Sequence, residues 1–110
     1  MCFWNAYVLT FTRPRLIYVE GFARIPVGRK ADRIVHHAWA SDEKGCVYDP
    51  TQDGTEYFGI PFRFGYVKRT MKRILPRCFS LLDNSVEGYP LLESKSTRAW
   101  LLPMGRSPAS

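Results

Sequence analysis

No run in this chain approaches the roughly 20 consecutive apolar residues that a membrane-spanning helix requires, so no membrane role is expected. Cysteine is scarce and odd in number: Cys2, Cys46 and Cys78 cannot all pair. A positively charged, apolar leader with a small-residue cleavage site is also missing. A disulfide framework and a secreted address are both unsupported, which leaves free thiols in a reducing, cytoplasmic setting as the expectation. The only two histidines, His36 and His37, are adjacent, so a strand points them to opposite faces. Neither Cys-x-x-Cys nor His-x-x-x-His spacing occurs, so neither a metal nor another cofactor is expected. Acid is thin: 10 Asp and Glu against 16 Lys and Arg give a net charge of +6, with no acidic residue between Tyr57 and Leu82. Such an excess permits affinity for nucleic acid or another anionic partner but says nothing of fold. No internal repeat is present.

What remains suits one domain with a modest core: 110 residues, 45% apolar and 15% aromatic. Residues 3–11 form a continuous apolar stretch that predicts a short, largely buried helix, ended ahead of Pro14. Residues 16–23 are β-branched and aromatic, as in a half-buried strand. A polar connection at 28–32 leads to a second strand at 33–40. Ser41 to Gly45 carries turn chemistry, with Gly45 suited to the left-handed position that closes a three-residue hairpin loop. Cys46–Asp49 is expected to return as the partner strand, Pro50 to end it, and residues 52–55 to form a loop. Over 65–75, Val67, Met71, Ile74 and Leu75 fall on one side of a helix, and Lys68, Arg69, Lys72 and Arg73 on the other. Pro76 stops it. The expected fold is therefore α+β: an N-terminal helix packed on a small antiparallel sheet, followed by a basic amphipathic helix. The domain is expected over residues 1–77, with an irregular extension over 78–110. Leu81-Leu82 and Trp100 to Leu102 could dock, and residues 106–110 are expected to fray.

One constellation points to chemistry. Strand alternation puts Val35, His37 and Trp39 on one face, and Ile34, His36 and Ala38 on the other. If the hairpin loop is Glu43-Lys44-Gly45, Asp49 becomes the diagonal neighbour of His37; a register two residues shorter puts the two directly opposite. Either lets the carboxylate reach the imidazole. His36 points away and is expected to be an exposed strand residue, at most an alternate base. A carboxylate on one ring nitrogen leaves the other to activate a nucleophile, and Cys2, where the first helix would begin, feels the positive end of its dipole.

The set Cys2, then His37-Ala38-Trp39, then Asp49-Pro50-Thr51 resembles the pattern of the transglutaminase-like superfamily of papain-like folds. Tyr18 to Ala23, with its Gly-aromatic pair, is similar to that family's strand ahead of the histidine. Cys2-Phe3-Trp4-Asn5-Ala6 and Tyr57-Phe58-Gly59 also look like segments of small phage and bacterial proteins, so that the resemblance covers about residues 2–67. It implies a cysteine at a helix start beside strands carrying the histidine and aspartate. It further implies acyl transfer of the peptidase, deamidase or transglutaminase kind on a peptide or protein amide, or a thioester-type carbonyl. Family members carry chain upstream of the cysteine that shapes the cleft, so a fragment or shortened variant is the expectation here. The backbone N–H of Cys2 is then the oxyanion donor to nominate.

In that reading Cys2, His37 and Asp49 are catalytic, and Trp39 and Asn5 are candidates to meet substrate. The plainer alternatives are core packing for Trp39, a helix-surface position for Asn5 and a polar cross-strand pair for His37 and Asp49. Glu20 interrupts an apolar strand, through either a role of its own or an outward-facing position. Lys68, Arg69, Lys72 and Arg73 are candidate anion-binding residues. They support the rival reading of a non-catalytic module using its basic helix on nucleic acid or an acidic protein.

Overall fold

The structure, a computed structural model, describes residues 2–93; the Trp100 to Leu102 segment and the 106–110 tail lie outside the described residues. It is α+β, with the order α1 (Cys2–Thr12), β1 (Ile17–Val27), β2 (Lys30–Ser41), β3 (Val47–Tyr48), β4 (Glu56–Phe62), α2 (Phe64–Ile74) and α3 (Pro90–Glu93). The strands form one curled antiparallel sheet in the order β3-β2-β1-β4. Among the described residues, no helix is long and apolar enough to cross a membrane.

The β1–β2 hairpin is longer than the composition suggests. Val27 pairs with Lys30, so the polar connection shrinks to Gly28-Arg29, with Gly28 at φ +60°. Pro26 is tolerated in β1 because the register shifts between Ile25 and Val27 there. The β2–β3 turn is the expected one: Ala40 pairs with Tyr48 and Ser41 with Val47, so Asp42 faces Cys46 across Glu43-Lys44-Gly45. Gly45 takes φ +88°, and Asp42 Oδ1 accepts the N–H groups of Lys44 and Cys46, each at 2.9 Å. The returning strand is only Val47–Tyr48, shorter than Cys46–Asp49, because Asp49 leaves the ladder.

Sequence pattern does not announce β4, since Gly59 and Pro61 are both poor strand formers. Position explains the tolerance. β4 is an edge strand, with Pro61 opposite Val19, and an edge is where a sheet tolerates a residue that has no N–H to donate.

Alternation sorts the sheet into two faces. Tyr18, Ala38 and Phe62 join Ala6 of α1 and Tyr66, Val67, Met71 and Ile74 of α2 in the core, with Leu81 fully buried among them. Packing therefore continues past residue 77, where the domain was expected to end. The opposite face carries Val19, His37, Trp39 and Tyr57. Because β3 and β4 lie at opposite edges, residues 49–55 must cross the sheet to join them, and they bring Asp49 with them.

Glu20 is not outward-facing: it has no exposed surface. Its carboxylate accepts Tyr18 O–H at 2.6 Å, Ser80 Oγ–H at 2.7 Å, Leu81 N–H at 2.6 Å and Leu82 N–H at 3.0 Å. The largest cause of the strong upward shift of the Tyr18 phenol is burial, followed by this neighbouring carboxylate. Nor is His36 an exposed strand residue. It is half-buried between the rings of Phe3 and Phe22, with Nε2 3.7 Å from Glu20 Oε1. The fold should depend on the buried carboxylate. Glu20→Ala strands four donors and is expected to cost about 3–5 kcal/mol, read as a lower urea midpoint, whereas Ser80→Ala should cost only about 1–2 kcal/mol.

Candidate active site

α1 begins at Cys2, so the thiol stands in the helix's first turn, where backbone N–H groups lack intrahelical partners. Packing explains why that turn lies against β2: the Phe3 ring meets His36 edge-on at 5.0 Å. His37, on the same strand but the other face, is buried, with a side chain 4% exposed. Its Nε2–H donates to Asp49 Oδ2 at 2.6 Å. The other ring nitrogen is then left unengaged by Asp49, and the Cys2 thiol is close enough to couple to the imidazole. The backbone of Ala38 and of Phe3 also favours the thiolate.

These surroundings push the two groups in opposite directions. Burial raises the Cys2 pKa as the largest single effect, yet the His37 hydrogen bond, the Ala38 N–H and the imidazole charge together bring it below the ordinary 9.0. For His37, burial works downward, but the bonds to Cys2 and Asp49 and the Asp49 charge outweigh it and raise the pKa above 6.5. Both shifts run toward the charged pair, thiolate and imidazolium, relative to the isolated groups.

Asp49 is held as firmly as the imidazole it orients. Its Oδ1 accepts the N–H groups of Thr51 at 3.0 Å and Gln52 at 3.1 Å, a turn that Pro50 fits because it has no N–H to place. Its Oδ2 accepts Tyr57 O–H at 3.0 Å besides His37, and Tyr57 Oη in turn accepts Gly54 N–H at 2.7 Å. Burial first, and the carboxylate beside it, push the Tyr57 phenol up to about 12, so it remains a donor. Asn5 Nδ2 donates to Thr51 Oγ1 at 3.1 Å, tying α1 to the turn that carries Asp49.

Trp39 is buried and stacks on His37, with ring centroids 6.1 Å apart and planes at 24°. Its other neighbour is Tyr57, edge-on at 4.9 Å. Gly59 makes room for this: a methyl group there would meet Val19 Cγ1 at 2.5 Å and Trp39 Cη2 at 2.7 Å. A cavity of 310 Å³ on this face is lined by Trp39 and Tyr57, with Ile17, Val19, Val47 and Pro61, but by neither Cys2 nor His37.

The structure thus brings Cys2, His37, Asp49 and Trp39 together and attaches Asn5 through Thr51. Tyr57 is the member that strand parity and motif spacing missed. Its only signal was the Tyr-Phe-Gly likeness, which assigned it no role. Lys68, Arg69, Lys72 and Arg73 lie apart, exposed on α2. Two of them have partners already. Arg73 Nε donates to Glu87 Oε2 at 2.7 Å, and Lys68 Nζ lies 5.6 Å over the Phe11 ring. Among known proteins, no family model, curated sequence or solved structure matches this chain.

The pH profile of Cys2 alkylation by iodoacetamide checks the coupling. The thiolate fraction rises with pH, so the lowered pKa places the midpoint below 9.0. His37→Ala removes the hydrogen bond and charge that lower it while leaving much of the burial, so the midpoint should move up and the pH 7 rate fall about tenfold or more. Asp49→Asn should shift it in the same direction by less. A midpoint indifferent to His37→Ala would refute the pairing.

Proposed function

We propose that this chain is a cysteine-dependent acyl-transfer enzyme of the transglutaminase-like, papain-like type, acting on a peptide or protein amide. The observation that carries the reading is the grouping of Cys2, His37 and Asp49, with the carboxylate 2.6 Å from His37 Nε2 and the thiol coupled to the same imidazole. It joins α1, β2 and the connection after β3, and it biases Cys2 toward thiolate and His37 toward imidazolium.

In the proposed reaction the Cys2 thiolate attacks the carbonyl carbon. The C–S bond forms, and the carbonyl π electrons move to oxygen. As the tetrahedral intermediate collapses, the His37 imidazolium gives its proton to the leaving nitrogen, the C–N bond breaks, and a thioester remains on Cys2. Water or an amine then attacks the thioester while neutral His37 takes its proton. The sulfur leaves as thiolate, restoring the ion pair. Asp49 keeps Nε2 protonated, so Nδ1 exchanges the proton, and Tyr57 fixes the carboxylate. The backbone N–H of Cys2 is the oxyanion donor within this scheme. The three cysteines are free thiols, as the chemistry requires of Cys2.

Incubation with p-nitrophenyl butyrate tests the step directly. A burst of nitrophenolate and a butyryl adduct mapped to the Cys2 peptide are expected. The adduct should vanish in Cys2→Ala, and its formation should slow about 10²–10⁴-fold in His37→Ala. Acylation spread evenly over Cys2, Cys46 and Cys78 would sink the proposal.

A further inference from the structure

Past the reach of the helices, the core-side face of the sheet presents Phe22, Ile34 and Phe58, with relative exposures of 51%, 56% and 67%. They stand on adjacent strands. Phe22 is paired with Phe58 on one side and His36 on the other, while Ile34 is paired with Arg24 in the next row. Isolated exposed apolar side chains are ordinary; a cluster of large ones is not. Three strands at their usual spacing make a shelf about 10 Å across.

Ring contacts link this shelf to the candidate nucleophile. The His36 ring lies 5.6 Å from Phe22 and 5.0 Å from Phe3, the residue after Cys2. His36 also precedes His37, whose imidazole meets the thiol from the opposite face. At the rim, Arg24 and Glu56 pair with each other at 3.4 Å. The surface beyond His36 is therefore mainly apolar. The 310 Å³ cavity lies on the other face, linked to the site through Trp39, which stacks on His37.

We infer that Phe22, Ile34 and Phe58 select the substrate of the Cys2 thiol: an acyl compound whose bulky apolar group extends from the attacked carbon past His36 onto this shelf. The inference rests on the acyl-transfer reading for its meaning, but the shelf can be tested without turnover.

Two reagents with one reactive group make the test: iodoacetamide and N-octyl iodoacetamide, with the chain-matched N-(7-carboxyheptyl) compound as a polar control. Exposed Cys46 corrects for intrinsic reactivity within the same molecule. The octyl reagent should gain about tenfold over iodoacetamide at Cys2 relative to Cys46, and the carboxylate-tipped reagent should gain little. In Phe22→Ser/Phe58→Ser the octyl gain should disappear while the iodoacetamide rate stays the same. Ile34→Ser supplies a second, milder variant with a partial loss. The ratio is readable whether or not Cys2 is activated, so failure of the thiolate reading and failure of the shelf give different results. An octyl gain absent from the native protein, or unchanged in both variants, overturns the inference. So does a dimer, detected by sedimentation, that the same substitutions dissolve without altering the ratio.

Discussion

A carboxylate with no exposed surface joins the two layers of this protein. Glu20 projects from the middle of β1 into the helix side and receives four hydrogen bonds, three of them from the segment that follows α2. Desolvating a carboxylate is costly, and only a full set of donors offsets it. The arrangement is thus demanding: segment 80–82 must return to the sheet, or the charge is left unsatisfied. Leu81 enters the core as part of the same contact.

The adjacent histidines each stand beside such a carboxylate, on opposite faces, and the difference between the two pairs separates structure from chemistry. His36 is 3.7 Å from a Glu20 already supplied with donors, so its imidazole adds little there. His37 is 2.6 Å from Asp49, and the same imidazole is coupled to a thiol. One residue of strand register separates an anchoring site from a candidate reactive one.

Much of this was legible in local sequence. Pro14 and Pro76 bounded the helices, and β-branched residues marked β1. Gly45 and Asp42 set the β2–β3 turn, so that strand parity alone chose His37 over His36. What escaped was non-local. Gly59 and Pro61 hid β4, because only its edge position makes them acceptable. Glu20 looked like an interruption, because its donors lie about 60 residues away. Tyr57 gained its contact with Asp49 only because the 49–55 connection crosses the sheet.

That crossing has a kinetic side. Cys2 meets His37 across more than thirty residues of chain, and Asp49 is fixed only after its connection has spanned two strands and β4 has docked. Contacts of such sequence separation form late, once their loop-closure entropy has been met. A newly made chain therefore carries an ordinary, mostly protonated thiol through the stages when it is most exposed to other polypeptides. The surroundings that lower the Cys2 pKa arrive together with the completed fold.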